Sequence, residues 1–456
     1  MRIIVLLLAM GMASFAAAEG SCYSGAYELS DGSKLVIQPS DDDNLRYRFP
    51  DGVSGKLFPV ADGYESGDGW SGREPVTLRV SFGPCGAGAI RFQRQTGPLL
   101  TGRKLALPTT AISFQSDNAT LYGELVLPLQ RPPRAVVVLQ YGSGPDSAVT
   151  DNFLQYLLPL KDIAVFVFDK RGTGRSTGEF SAHIGRLAED FAAAVRAVRG
   201  HAAVKDVPLG AMGESQGGWV VPLAATLVPV DFVVVSYGLA VSMAEEDRLE
   251  VAQALRAKGH GADVLAKGEE IHLATTRVMV SRFSAGLDEL KRLKAAYRNS
   301  PWFADLGGDY TAPLMSTPDE QLPQLQKVFN FPYDLEYDSL PAIRSIAVPQ
   351  LWVLAGEDTE APHESTLARL QQLQGMGVNI EVKVFPRADH GMIVVEQGPQ
   401  GQRLAGRTAP GYFELLGDWI LARAAKVSQT ARGAQCPDCP AVTDNESHGK
   451  GAPTRK

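Results

Sequence analysis

Short runs of alternating apolar and polar residues dominate the chain between residues 19 and 108. Asp-Gly pairs separate these runs, and such pairs favour tight turns between strands. The pattern predicts a small all-β domain over residues 19–108, arranged as an antiparallel sandwich or barrel. The clearest runs are Lys34–Ile37, Leu45–Phe49, Thr77–Val80 and Ile90–Phe92.

From residue 109 onwards, buried-type apolar runs alternate with amphipathic helical stretches. This alternation predicts a doubly wound α/β domain with a mostly parallel sheet over residues 109–427. The predicted strands are Leu121–Leu127, Ala135–Leu139, Ala164–Phe168, Val207–Met212, Phe232–Ser236, Leu351–Leu354 and Ile380–Phe385, and the predicted helices include Arg186–Arg199, Trp219–Leu227 and Gly411–Ala425.

The alternation stops at about residue 240 and resumes after about residue 346. The segment between is richly charged and largely helical in pattern. An insertion of this length is usually functional, and open α/β sheets bind ligands at the carboxyl ends of their strands. We therefore expect residues 240–346 to form a helical cap over the substrate site.

Both ends of the chain depart from a globular pattern. Arg2, an apolar run over residues 3–12 and the small residues Ala16–Ala18 predict a secretory signal peptide that ends at Ala18. The alternative is a membrane anchor, but the apolar run is too short to span a bilayer. Residues 428–456 are polar and contain several Pro and Gly residues, which predicts a disordered tail. We expect an exported protein, periplasmic or secreted, with no membrane span.

Composition then excludes some classes of protein. The 456 residues are 45% hydrophobic and 21% charged, as in ordinary globular proteins. The net charge is −7, whereas nucleic-acid-binding proteins are usually basic, so this class is excluded. Four cysteines are too few for a disulfide scaffold. In an oxidising compartment Cys22 and Cys85 could pair, and Cys436 and Cys439 would form a local disulfide or remain free thiols.

The sequence Gly213-Glu214-Ser215-Gln216-Gly217 is the main candidate for catalytic chemistry. The G-x-S-x-G pattern also arises by chance, but here it follows a predicted strand and opens a predicted helix. That context is the one a nucleophile elbow needs. The flanking glycines allow a sharp turn that exposes the serine hydroxyl. We therefore predict that Ser215 is a nucleophile.

A serine hydroxyl needs a base, and the base needs an acid to orient it. His390 lies after the last predicted strand and before the last predicted helix, where such a base belongs. Asp358, in the turn after the strand Leu351–Leu354, is the predicted acid. Glu357 is the alternative, whereas Asp389 is too close in sequence to His390.

The reaction also needs hydrogen-bond donors for a developing oxyanion. The backbone N–H groups of Gln216 and Ser143 are the predicted donors, because Gln216 follows the nucleophile and Ser143 lies in a Gly-rich loop after the strand Ala135–Leu139. The same loop could bind phosphate, but it lacks the Gly-Lys-Ser/Thr of a P-loop.

These segments resemble the α/β-hydrolase superfamily, particularly its serine aminopeptidase-like and dienelactone hydrolase-like branches. The resemblance covers about residues 111–425. It implies a capped serine hydrolase in which the loop around Arg171 is mainly structural. Many relatives have His where this chain has Tyr141, and in prolyl-oligopeptidase-type peptidases a Tyr near this position donates to the oxyanion. Tyr141 is therefore a further oxyanion candidate, or else it packs under the loop. The segments that carry the resemblance are Tyr141–Pro145, Asp169–Ser176, Gly213–Gly218, Gly356–Asp358 and Asp389–Gly391.

We predict an exported serine hydrolase that cleaves carboxylic esters through an acyl-enzyme intermediate, with a small ester or short peptide as its substrate. The alternative is a peptidase, aminopeptidase or amidase with the same triad. An aminopeptidase would need a cap carboxylate for the substrate amine, and Glu245, Glu246 and Glu250 are the candidates. A third hypothesis is a non-enzymatic binding protein with an inert hydrolase domain. No metal or organic cofactor is implied.

Overall fold

The computed structural model describes residues 22–67, 69–398 and 403–435. The predicted signal peptide, Cys436 and Cys439 lie outside the described residues. Within the described ranges, no helix combines the length and the apolar character needed to cross a membrane.

The N-terminal part of the chain folds as a closed barrel of eight antiparallel strands. The barrel closes because its first strand pairs with both the second and the eighth. Alternate side chains such as Tyr27, Leu35 and Phe92 fill its interior, and a disulfide joins Cys22 to Cys85. The strands are β1 (Gly25–Leu29), β2 (Lys34–Pro39), β3 (Leu45–Arg48), β4 (Ser54–Val60), β5 (Gly63–Ser66), β6 (Leu78–Phe82), β7 (Ala89–Arg94) and β8 (Leu99–Lys104).

The second domain is built on an eight-stranded sheet. Its strands are β9 (Thr109–Ser116), β10 (Ala119–Val126), β11 (Ala135–Gln140), β12 (Ile163–Phe168), β13 (Leu209–Glu214), β14 (Phe232–Ser236), β15 (Gln350–Ala355) and β16 (Ile380–Phe385). They lie in the order β16-β15-β14-β13-β11-β12-β10-β9. All neighbouring pairs from β12 to β16 are parallel, whereas β10 is antiparallel to both of its neighbours.

Helices cover both faces of this sheet, which confirms the predicted doubly wound fold class. The α3 and α4 helices bury their apolar faces on one side of the sheet, and α1, α2 and α12 pack on the other. The helices are α1 (Ala148–Asp151), α2 (Leu154–Leu157), α3 (Ile184–Arg199), α4 (Gly217–Leu227), α5 (Met243–Ala257), α6 (Ala262–Val280), α7 (Leu287–Tyr297), α8 (Thr311–Ser316), α9 (Leu322–Val328), α10 (Leu340–Ser345), α11 (His363–Gly375) and α12 (Tyr412–Gln435).

The inserted segment between β14 and β15 is helical and has an apolar cluster of its own. It contains α5 to α10, and buried residues such as Leu255, Ile271 and Leu290 form that cluster. Gln253 of this cap donates a 2.9 Å hydrogen bond to the backbone carbonyl of Asp358. The cap therefore contacts the carboxyl end of β15, where the predicted acid lies.

Two features differ from the expectations. The disordered tail was expected from residue 428, but the last helix continues to Gln435, because no proline interrupts residues 412–435. A further antiparallel sheet also separates β16 from this helix. Its strands are too short or too polar to give a clear alternating pattern, and they are β17 (Ala388–Asp389), β18 (Ile393–Gln397) and β19 (Arg403–Thr408).

Candidate active site

The predicted nucleophile lies in a sharp turn between β13 and α4. Ser215 has a φ of 52°, a left-handed conformation that strains a residue with a side chain. The chain around it packs so closely that side chains do not fit. A Cβ on Gly213 would lie 2.5 Å from the carbonyl oxygen of Gly217, and one on Gly218 would lie 2.8 Å from the backbone nitrogen of Leu239. The turn therefore places Ser215 at the carboxyl end of the sheet.

Three side chains from separate loops form one hydrogen-bonded line. Nε2 of His390 lies 3.0 Å from Oγ of Ser215, and its Nδ1 lies 3.1 Å from both carboxylate oxygens of Asp358. Asp358 is buried. Its Oδ1 also accepts the backbone N–H groups of Glu360 and Ala361, at 3.0 and 2.7 Å. These bonds hold the carboxylate in place, and the carboxylate turns the His390 ring toward Ser215.

The two alternative acids that the sequence offered, Glu357 and Asp389, bind different groups. Glu357 pairs with Arg403 at 3.2 Å. Asp389 accepts the backbone N–H of His390 at 2.8 Å and the Thr359 hydroxyl at 2.9 Å. Asp389 therefore holds the backbone of the histidine loop, whereas Asp358 contacts the imidazole ring.

The pKa of His390 reflects this acidic environment. Burial lowers it, but the charge and hydrogen bond of Asp358, followed by the charges of Glu360 and Asp389, raise the pKa to about 9. Glu360 is half exposed, and its Oε2 lies 3.9 Å from Nε2 of His390. The neutral imidazole, which is the form that can accept a proton, therefore becomes available as the pH rises.

The loop after β11 passes directly beside Ser215. A Cβ placed on Gly142 would lie 3.5 Å from Cβ of Ser215. Lys170 is buried and donates to the Gly142 carbonyl, so it fixes the orientation of this peptide. Gln216 follows Ser215 at the start of α4. The oxyanion roles of Gln216, Ser143 and Tyr141 stay predictions.

A buried carboxylate precedes Ser215, and the sequence does not single it out. Glu214, the last residue of β13, accepts hydrogen bonds from Nδ2 of Asn152 at 2.5 Å and from the Tyr237 hydroxyl at 2.6 Å. The Tyr237 ring in turn packs edge-on against the imidazole of His390, with 5.0 Å between centroids. In the sequence, Glu214 occupies the first variable position of G-x-S-x-G. A charged residue at that position does not indicate a buried role.

Three further carboxylates lie in the cap, and their charges interact with charged groups around His390. Burial and mutual repulsion raise the pKa of Glu246 and of Glu250. Asp309 is accessible to solvent although much protein surrounds it, and burial and then the charge of Asp247 raise its pKa to about 6. Glu360 and Asp358 contribute to the repulsion on Glu246, so the cluster borders the triad.

Among the described side chains, these three carboxylates form no ion pair with an Arg or a Lys. The charge of His390 lowers the pKa of Asp309, whereas neighbouring acids raise the pKa of all three. Glu245, the remaining amine-binding candidate, differs because it pairs with Arg248 at 2.6 Å on the same helix. The structure therefore removes Glu245 from the candidates and adds Asp309. In the described part of the chain, no three His, Cys, Asp or Glu residues form a group suited to a metal ion.

A family model matches the central part of the chain. Residues 131–291 match the model described as serine aminopeptidase, S33. The match contains the elbow with Ser215 and ends before Asp358 and His390. The protein is a serine hydrolase with the α/β-hydrolase fold.

Comparison with solved structures finds similarity at low sequence identity. An esterase from Pyrococcus furiosus is 13% identical with a TM-score of 0.42, over 72% of this chain and 91% of that chain. An acylaminoacyl peptidase from Pyrococcus horikoshii is 12% identical with a TM-score of 0.42, over 86% and 56% of the two chains. The α/β hydrolase GrgF from a Penicillium species is 18% identical with a TM-score of 0.39, over 62% and 92%. No curated protein matches the hydrolase.

The raised pKa of His390 predicts how hydrolase activity depends on pH. Only the neutral imidazole accepts a proton, so kcat/KM for a neutral ester should fall as the pH drops through a pKa above the ordinary value of 6.5. Glu360→Gln removes one charge that raises this pKa, and it should move the midpoint of the pH profile to lower pH.

The matched control is Glu364→Gln, an exposed position at the start of α11. It should leave the midpoint where the wild-type protein has it. A midpoint that Glu360→Gln leaves unchanged or moves upward would contradict the assignment of this limb to His390.

Proposed function

We propose that the hydrolase cleaves carboxylic esters by an acyl-enzyme route, with Ser215 as nucleophile, His390 as general base and acid, and Asp358 as the group that orients His390. The observation that carries this proposal is the hydrogen-bonded line from Ser215 through His390 to Asp358, with distances of 3.0 and 3.1 Å. A partly buried serine, a histidine and a buried carboxylate joined in this order are typical of nucleophilic catalysis.

The reaction follows from the atoms in this line. Nε2 of His390 takes the Ser215 proton as Oγ bonds to the ester carbonyl carbon, which leaves a negative charge on the carbonyl oxygen. The Gln216 and Ser143 amides are the proposed donors to that charge. The imidazolium then returns its proton to the leaving alcohol, and the C–O bond of the ester breaks. A water molecule then attacks the acyl carbon while His390 takes its proton. The imidazolium returns this proton to Ser215 Oγ, and the carboxylic acid is released.

Tyr141 is the third proposed oxyanion donor. Burial, followed by the charges of Asp151, Glu214 and Asp146, raises the pKa of Tyr141. Its hydroxyl therefore keeps its proton throughout the working pH range. Tyr141 is partly buried against the apolar cluster on the α1, α2 and α12 side of the sheet, and the proposal rests on the proton that its hydroxyl can donate.

A second candidate function is the hydrolysis of substrates that carry a free amine. The cap carboxylates Glu246, Glu250 and Asp309 lie near charged groups around His390, and they form no ion pair with a described Arg or Lys. An ammonium group would supply the missing positive charge through charge-assisted hydrogen bonds. This cluster favours an aminopeptidase-like specificity over a purely neutral ester.

We also propose that the protein is exported. The signal-peptide pattern at residues 1–18 supports this proposal, and so does the Cys22–Cys85 disulfide, since disulfides persist in oxidising compartments. Expression of the full chain in a Gram-negative host should deliver a processed, oxidised protein to the periplasm. Unprocessed protein that remains in the cytoplasm with free thiols would count against export.

Removal of the Ser215 hydroxyl tests the catalytic proposal. Ser215→Ala should lower kcat for p-nitrophenyl butyrate by about 10⁵-fold, while leaving the circular dichroism spectrum and the melting temperature close to those of the wild type. His390→Ala should cause a comparable loss, and the double variant should lose little more, because the triad acts as a unit. Full activity in Ser215→Ala would refute the proposal.

A pair of anilides tests the amine-binding candidate. Alanine p-nitroanilide and its N-acetyl form differ only in the free amine, so an acidic subsite should favour the first. Glu246→Gln should raise KM for the free-amine substrate by about 10-fold, with little effect on p-nitrophenyl butyrate. Glu245→Gln is the matched control, since Glu245 is on the same helix and already pairs with Arg248. Equal turnover of both anilides, unaffected by Glu246→Gln, would leave only the ester function.

A further inference from the structure

The barrel contacts the hydrolase domain at the loop that carries Asn152. Nε2 of Gln38 on β2 donates a 3.0 Å hydrogen bond to the backbone carbonyl of Asp151. Arg48, at the end of β3, donates to Oε1 of the same Gln38 at 2.7 Å. The guanidinium carbon of Arg48 also lies 4.0 Å from the centroid of the Phe153 ring. Two barrel side chains therefore hold residues 151–153 from both sides of Asn152.

Asn152 connects this contact to the turn that carries Ser215. Its Nδ2 donates to Glu214, which immediately precedes Ser215. Its Oδ1 accepts the backbone N–H of Leu154 at 2.9 Å, so the amide cannot rotate without breaking a second bond. Because Glu214 also accepts the Tyr237 hydroxyl, the position of Asn152 bears on both the elbow and the ring that packs on His390.

Charge links the two domains at the same place. Burial and Arg46 lower the pKa of Arg48, whereas Tyr237 and Glu214 raise it. Burial raises the pKa of Glu214, while its hydrogen bonds and the charges of Arg48 and His390 lower it. Both side chains are nearly inaccessible to solvent. A buried carboxylate needs an opposite charge to stay ionised, and Arg48 is the cation that the barrel supplies.

A second contact joins the barrel to the histidine loop. The strand β19, which pairs with β18 just after His390, runs along the barrel. The backbone N–H of its Thr408 donates to Oγ of Ser54 at 2.9 Å, and the N–H of Trp70 donates to the Ala405 carbonyl at 2.8 Å. The barrel is thus hydrogen-bonded both to the loop that carries Asn152 and to the strand β19 that follows His390.

We propose that the barrel completes the catalytic site, with Arg48 as a positioning residue that acts through Asn152 and Glu214 on Ser215 and, through Tyr237, on His390. This inference rests on the proposed roles of Ser215 and His390. The carboxylate of Glu214 also favours the imidazolium that forms when His390 takes the Ser215 proton. A lost contact at Arg48 therefore weakens the chemical step rather than substrate binding.

Kinetics of the full-length protein with p-nitrophenyl butyrate test this role. Arg48→Met should lower kcat by about 10- to 100-fold with KM within about twofold of the wild-type value, because a small misplacement of reacting groups is costly. Arg48→Lys keeps the charge and should recover most of kcat. The control is Arg91→Met, an exposed arginine on β7 of the same barrel, which should leave kcat unchanged.

A double-variant cycle identifies the path of the effect. Glu214→Gln keeps the side-chain size but not the charge, and it should lower kcat to a similar extent. If Arg48 acts through Glu214, kcat of the variant that combines Arg48→Met with Glu214→Gln falls by much less than the product of the two single reductions in kcat. Multiplicative reductions in kcat, an unchanged kcat in Glu214→Gln, or an effect on KM alone would overturn the inference.

Glu214→Gln and Arg48→Lys still test the inference if Arg48→Met does not fold. Fluorophosphonate labelling of Ser215 in the wild-type protein separates these results from a failure of the proposed function.

Discussion

The whole site depends on a backbone turn that is unfavourable on its own. Ser215 adopts a left-handed φ of 52°, and this strain persists only because the surrounding chain allows no relaxed alternative. The backbone N–H of Ser215 donates to the Ser236 carbonyl at 3.0 Å, and its own carbonyl accepts from Gly218 at 2.8 Å. Parallel strands on both sides of β13 fix the start of the turn. The sheet and α4 therefore hold a strained residue where a nucleophile is needed.

Buried charge is the second constraint, and it decides which groups lie near the turn. Glu214 sits under the elbow, and Asp358 sits behind His390. Each is nearly inaccessible to solvent, and each is held by two or more hydrogen bonds. The cap carboxylates Glu246 and Glu250 differ, because repulsion from neighbouring acids adds to the effect of burial on their pKa. We propose that the hydrogen-bonded carboxylates Glu214 and Asp358 position the catalytic groups. Glu246 and Glu250, which lack such partners among the described residues, would bind a cationic group of the substrate.

The sequence was sufficient for the features that leave local signals. The fold class followed from hydrophobic periodicity, and Ser215 from glycines that a tight turn requires. Asp358 and His390 came from their places after successive strands. Contacts between distant segments left no such signal. Arg48 reads as a polar residue at the end of a strand, and nothing local shows that Gln38 joins it to the loop before Asn152. Likewise, only the folded cap brings Asp309 to Glu246 and pairs Glu245 with Arg248.

The central claim is that Ser215 is an activated nucleophile in a working triad. The most direct measurement treats the full-length protein with a fluorophosphonate, digests it and maps the modified peptide by mass spectrometry. The account predicts a single phosphonylated residue, Ser215, and labelling that His390→Ala slows strongly because the base is gone. Labelling at another serine, or none in a folded protein that still hydrolyses esters, would contradict it.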